Sequence, residues 1–341
     1  MTVTPNTLYL AAPRGFCAGV DRAIDIVEMA LQVYGAPIWV RHEIVHNRHV
    51  VDALREKGAV FTDDLEDVPH GAVVIFSAHG ISPAVRAQAK ERGLKALDAT
   101  CPLVTKVHLE ALKYAKSGYT ILLIGHRNHV EVEGTMGEAP EATILIETVD
   151  DAEHVRVPDP ARVAYLSQTT LSVDDVRAIV EVLKRRFPQM HEPAKADICY
   201  ATQNRQDAVK ELARRCATVL VVGAPTSSNA NRLVEVARSL GVESHLIESA
   251  EDIHPEWVRG DVGLTAGAST PEHVVQACVH RVQALGDYRV EEFTLVEERI
   301  MFPLPGELLA VAQQRGVAFR PGNERAAERA AADAEFRISK H

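Results

Sequence analysis

The sequence predicts an α/β fold: three pseudo-threefold-related α/β units, each with a small parallel sheet, arranged around a central cavity. Three observations lead there. From residue 8 to about residue 285, short β runs alternate with helical apolar patterns, and parallel strands need crossover helices. Cys17, Cys101 and Cys199 each follow a short strand-like run and open a helical pattern. Two polar strand-end loops then recur after each cysteine at nearly constant distance. Cys17 stands 29 residues before His46, Cys101 28 before His129 and Cys199 28 before Ser227. The second loops, at His79, Thr169 and Ser269, follow at 62, 68 and 70 residues.

In chain order, Leu8–Ala12 is a strand that the repeat places beside the strand leading out of the third unit. Val20, Ala23, Ile24, Val27 and Leu31 make the first helical stripe, Pro37-Ile-Trp-Val precedes His46, and Val73-Val-Ile-Phe-Ser precedes His79. The second unit repeats this with Val104, Val107, Ala111 and Leu112, then Thr120-Ile-Leu-Leu-Ile-Gly, then Val163-Ala-Tyr-Leu-Ser. The third has Val209, Leu212 and Ala213, then Thr218-Val-Leu-Val-Val-Gly, then Val262-Gly-Leu-Thr-Ala-Gly. The expected units are residues 18–100, residues 101–197, and residues 1–17 with 198–285. Residues 286–310 form a closing segment with one or two edge strands near Tyr288. Residues 311–341 form a tail whose Ala, Glu and Arg content from Arg320 onward suits a solvated helix or disorder.

Composition narrows the function. With 341 residues, 46% hydrophobic, the chain can bury several cores. A net charge of −10 argues against nucleic acid or an anionic membrane as partner, and no apolar run approaches a membrane span. Without an export signal, a cytoplasmic enzyme is expected, and five cysteines point to thiol or metal chemistry rather than a disulfide framework.

Three cysteines at matching points of a repeat suit an iron–sulfur cluster or a zinc ion, both of which take soft anionic ligands. Spacing alone leaves the two open, since no Cys-x-x-Cys pair occurs. Cys216 and Cys278 continue apolar stripes and are expected in the core. The loops offer His, Ser, Thr and Asn side chains and helix N-termini, a donor set suited to phosphate oxygens. His46, His79 and His129 recur at repeat positions and are expected to function. For His42, His49, His108, Thr170 and Ser172 a structural or helix-capping role stands open beside a contact to a ligand. Glu131, two residues after His129, would face the same side of an extended segment, and could there carry a proton or simply be a surface charge.

These stretches resemble the 4-hydroxy-3-methylbut-2-enyl diphosphate reductases, which close the deoxyxylulose phosphate route to isoprenoids. The resemblance rests on Arg14-Gly-Phe-Cys-Ala-Gly-Val, His42-Glu-Ile-Val-His-Asn, Ser77-Ala-His-Gly, Asp98-Ala-Thr-Cys-Pro and His129-Val-Glu-Val-Glu-Gly-Thr. Ser167-Gln-Thr-Thr, Cys199-Tyr-Ala-Thr-Gln-Asn-Arg-Gln, Ser227-Ser-Asn and Ala268-Ser-Thr-Pro-Glu complete it, in order, over residues 8 to about 308. It implies a [4Fe–4S] cluster on Cys17, Cys101 and Cys199, with a fourth iron open to substrate that can be lost to leave [3Fe–4S]. It implies that His46, His79, His129, Ser227, Ser228, Asn229 and Ser269 hold a diphosphate. Thr169 would bind the substrate hydroxyl and relay protons, with Glu131 as their source. A ferredoxin or flavodoxin would supply electrons. Asn128, Thr226, Ala230 and Gly306 depart from the pattern, and Gly306 puts contacts of the closing segment in question.

Two rivals remain at this level. An iron–sulfur hydro-lyase acting on carboxylates would want arginine clamps, and the matched loops offer only Arg127 and Arg232. A cluster- or zinc-based sensor would want an effector surface or a basic DNA-binding element.

Overall fold

The computed structural model describes residues 5–318 and residue 322. Three separate sheets carry the chain, and every strand pairing within them is parallel.

The chain enters through β1 (Asn6–Ala12), whose end feeds α1 (Ala18–Tyr34) directly. A four-stranded sheet follows, built from β2 (Ile38–Arg41), β3 (Ala59–Thr62), β4 (Val73–Phe76) and β5 (Lys95–Asp98) in the order β3-β2-β4-β5. Its crossovers include α2 (Arg48–Glu56) and α3 (Pro83–Glu91). After α4 (Pro102–Lys116) comes a three-stranded sheet, β7-β6-β8, of β6 (Thr120–Ile124), β7 (Thr143–Ile146) and β8 (Val163–Ser167). Helices α5 (Val130–Glu138), α6 (Val149–His154) and α7 (Val173–Arg186) belong to that unit.

The third sheet has five strands, ordered β10-β9-β11-β1-β12. It takes β9 (Thr218–Val222), β10 (Glu243–Ile247), β11 (Val262–Ala266) and β12 (Tyr288–Thr294), and returns to β1. Leu8 of β1 sits opposite Val262 on one side and Val290 on the other, so the chain's first strand is a central one. Its helices are α8 (Tyr200–Ala213), α9 (Ser228–Ser239) and α10 (Glu272–Leu285). Central strands β9 and β11 are buried along their whole length. They are therefore apolar runs without alternation, as strands covered on both faces must be.

The helical stripes read from the sequence are the buried ones. Val20, Ala23, Ile24 and Val27 lie in one core with Leu31 at its margin, and Cys216 and Cys278 are apolar core members. At the C-terminus, α11 (Gly306–Gln314) runs across residue 310, where the sequence reading ended the closing segment. Leu308 and Ala312, one turn apart, seat it in the first core beside α1. Gly306 opens this helix, and a Cβ there would touch nothing. Closure comes instead from the segment before it, where Arg22 Nε donates to the Pro303 carbonyl at 2.8 Å. The tail beyond residue 318, Gly322 apart, lies outside the described residues. Among the described residues no helix is long and apolar enough to cross a membrane.

Candidate functional site

One cavity is lined by loops and helix starts that follow strands of all three sheets, and it collects every side chain that the sequence singled out for function. Cys17, Cys101, Cys199, His46, His79, His129, Glu131, Thr169, Ser227, Ser228, Asn229 and Ser269 all border it.

Each cysteine is the N-cap residue of a helix: Cys17 of α1, Cys101 of α4 and Cys199 of α8. Each also makes the same backbone bond. Its N–H donates to a carbonyl in a strand-end loop: Cys17 to Ala268 at 3.3 Å, Cys101 to Ala78 at 3.0 Å and Cys199 to Thr169 at 3.0 Å. Those acceptors stand at or just before Ser269, His79 and Thr169, so the repeat seen in sequence is repeated in hydrogen bonding. Helix N-termini place positive potential on all three sulfurs, which favours thiolates. Burial works the other way. It raises the Cys17 thiol, and it pushes Cys101 to about 12 and Cys199 to about 11, with neighbouring sulfurs adding repulsion.

Three thiols brought together in one cavity fit a cationic group that binds all of them. Gly19 leaves the space: a Cβ there would stand 2.7 Å from Cys101 Sγ and 3.8 Å from Cys17 Sγ. Among the described residues no three His, Cys, Asp or Glu side chains are spaced to hold a single metal ion. The cysteines give a set of three soft sulfur donors, the kind that an iron–sulfur cluster or a zinc ion takes.

The same cavity holds three histidines. His46 and His79 stack at 4.1 Å between centroids, and His129 meets them edge-on at 5.6 and 6.1 Å. His129 is the N-cap of α5, and its Nδ1 accepts from the Glu131 backbone N–H at 3.2 Å. That bond leaves the ring proton on Nε2, free to donate. Burial, then the neighbouring imidazoles, push His79 well below its usual range and His129 down to about 4. Both rings are neutral donors near pH 7.

Around them, Ser227 caps α9. Ser228 Oγ accepts from Thr170 Oγ1 at 3.0 Å and from Gln168 Nε2 at 3.3 Å. Asn229 is held at both ends: Oδ1 accepts from Ala268 N at 3.0 Å and Nδ2 donates to Thr202 Oγ1 at 3.2 Å. Ser269 Oγ donates to the His46 carbonyl at 2.9 Å.

Glu131 is buried in the first turn of α5, not in the extended segment that the sequence reading assumed. Asn128 explains the difference. Its φ of 64° turns the chain sharply just before the helix, a conformation that Gly or Asn adopts at little cost. Thr169 donates to Glu131 twice, from its backbone N at 2.6 Å and its Oγ1 at 3.1 Å. Burial outweighs both bonds and pushes the carboxyl up to about 7. It can hold or release a proton at neutral pH.

Most of the residues left open make structural contacts. His108 pairs with Glu138 at 2.8 Å beneath Gly80 and Gly134, His42 pairs with Asp63, His49 meets the Glu248 carbonyl and Ser172 caps α7. Thr170 is the exception: it lines the cavity and positions Ser228. Thr202 also lines it, touching Cys199 Sγ and Asn229, and was missed. Its position one turn after a capping cysteine was the available sign.

A reductase from Ralstonia nicotianae, named 4-hydroxy-3-methylbut-2-enyl diphosphate reductase, is 59% identical over 300 residues, spanning 87% of this chain and 93% of that protein. The equally named protein of Bordetella bronchiseptica is 58% identical over 307 residues, 89% of this chain and 94% of its own. Among solved structures, the E-1-hydroxy-2-methyl-but-2-enyl-4-diphosphate reductase from Plasmodium falciparum superposes with a TM-score of 0.89 at 41% identity, covering 92% of this chain and 100% of that one. A second structure, of the enzyme described as the terminal one of the non-mevalonate pathway, gives 0.58 at 32% identity, over 82% and 99%. The family model described as LytB protein matches residues 8–283, and with these relatives the chain belongs to the LytB family.

Proposed function

We propose that this chain is an iron–sulfur oxidoreductase of isoprenoid biosynthesis. It reduces (E)-4-hydroxy-3-methylbut-2-enyl diphosphate to isopentenyl and dimethylallyl diphosphates in the cytoplasm. The observation that carries the reading is one cavity that gathers three thiols together with imidazoles, hydroxyls and a helix N-terminus. Its relatives' names supply the substrate.

The diphosphate lies among the histidines. His46, His79 and His129 with Ser227, Ser228, Asn229 and Ser269 donate to its oxygens, and the N-terminus of α9 adds its dipole. The allylic hydroxyl then lies toward Thr169 and the sulfurs. Cys17, Cys101 and Cys199 would hold a [4Fe–4S] group, which would supply electrons and Lewis acidity toward the hydroxyl oxygen. Glu131 provides a proton through Thr169 Oγ1, so the hydroxyl leaves as water. A second proton ends on carbon, and which carbon receives it decides between the two products. Two electrons balance the two protons. They come from ferredoxin or flavodoxin, since the sequence carries no nucleotide-binding fingerprint of its own.

The test is anaerobic purification with iron and sulfide analysis, followed by substrate with and without a chemically reduced mediator. About four irons per chain and reductant-dependent five-carbon diphosphates are expected. Turnover without reductant, or zinc in place of iron, overturns the reading.

A further inference from the structure

Arg205 has no part in the scheme above, yet it is fully buried and is among the largest of the fully buried side chains. A guanidinium without water must find partners for its five donors. Here it finds them on three segments at once. Nη2 donates to the Gly15 carbonyl at 2.7 Å and Nε to the same oxygen at 3.2 Å, with Phe16 O at 3.4 Å from Nη2. Nη1 donates to the Ala201 carbonyl at 2.9 Å. Glu298 Oε1 and Oε2 stand 3.0 and 3.3 Å from Nη1 and Nη2.

The partners are not scattered. Gly15 and Phe16 immediately precede Cys17, and Ala201 lies two residues past Cys199. One planar fork therefore joins the loop of the first sulfur to the helix that carries the third. Gly15 makes that loop possible: its φ is 62°, and a Cβ there would meet the Thr270 carbonyl at 2.9 Å. Glu298 adds the third segment, the strap between β12 and α11, which Asn204 Nδ2 also holds at 2.9 Å. Glu298 remains 14% exposed while Arg205 is at 0%. The positive charge is thus the more deeply placed of the pair. Arg205 lies near enough to Cys17 and Cys199 for its positive charge to act on both sulfurs.

We infer that Arg205 is a positioning residue for the metal group: it fixes Cys17 and Cys199 relative to one another and sets that group's reduction potential by a buried charge that Glu298 trims. The inference rests on the iron–sulfur reading. A fixed positive charge nearby favours the reduced, more negative state, so its loss lowers the potential. Loss of the opposing carboxylate raises it. Lysine keeps the charge but cannot fork across several carbonyls.

The experiment is a redox titration of anaerobically purified holoenzyme, with iron per chain measured on the same samples, for wild type, Glu298→Gln, Arg205→Lys and Arg205→Met. Glu298→Gln is expected to keep its iron and shift the potential upward. Arg205→Met is expected to lose iron and shift what remains downward. Arg205→Lys should lose iron while holding its potential closer to wild type than Arg205→Met does. Should the arginine variants fail to fold, Glu298→Gln decides alone. An unmoved potential in fully loaded Glu298→Gln, or equal potentials in the lysine and methionine variants, overturns the inference. Wild-type protein without iron and sulfide overturns the iron–sulfur reading beneath it, and the two failures are distinguishable.

Discussion

The sulfur and histidine groups of the cavity are built alike and titrate oppositely. Both sit at strand ends, both use helix N-termini, and both are desolvated. Among the sulfurs burial drives Cys101 to about 12 and Cys199 to about 11, while among the histidines it drives His129 down to about 4. In each case the buried form is the neutral one, because a lone charge is costly there. The shifts point to the charge each group is built to receive: a cation among the thiols, an anion among the imidazoles. Glu131 lines the same cavity with a carboxyl pushed up to about 7, poised to change its protonation at physiological pH.

The most severe way to break this pairing is to remove one sulfur. Cys101→Ser should abolish reductive turnover and deplete iron, while inorganic diphosphate still binds, because Thr202, which links the two groups, joins Asn229 to Cys199 and not to Cys101. Iron analysis and calorimetry on one preparation check it. Loss of diphosphate binding in a folded Cys101→Ser protein would mean that the two groups are not separable.

Glu131→Gln attacks the titrating carboxyl of the same cavity. Turnover should fall roughly 10²–10⁴-fold, the usual worth of a positioned general acid, with iron content and diphosphate affinity retained. In the wild type the acid form is lost as pH rises through about 7, so turnover should decline on the alkaline side with that midpoint. A Glu131→Gln enzyme with near-normal rates would remove Glu131 from the mechanism.

How legible all this was in the sequence depends on range. The sulfur positions could be read because a repeat displays them three times, and the parallel sheets because buried strands are continuous apolar runs. The His129–Glu131 geometry was misread for want of one backbone angle, at Asn128. Thr170 was undecidable, because a hydroxyl at a helix start caps or binds with equal ease until its partner, Ser228, is known. Arg205 was invisible as a structural element. An arginine on a helix reads as solvated, and nothing local announces carbonyls 190 residues upstream. Helix α11 was missed because only two of its residues, Leu308 and Ala312, are buried, too few for a periodicity to stand out.

The mildest perturbation tests the histidine group by its protons. His129 is neutral in the free protein, its pKa held near 4 by burial first and then by His46. An arriving diphosphate brings the opposite charge and raises that pKa. Between the free and bound values, binding must then take up protons, and affinity must weaken as pH rises through the bound value. Calorimetry in buffers of different ionisation heat reads this directly, and a Glu131→Gln background removes the other nearby titration. His129→Asn supplies the control, since asparagine still caps a helix and still donates but does not titrate. Its proton uptake should shrink, while affinity falls only about tenfold, or roughly 1.4 kcal/mol. Unchanged proton uptake in that variant would show that the charge the diphosphate induces lies elsewhere, and would confine His129 to capping α5 and donating one neutral hydrogen bond.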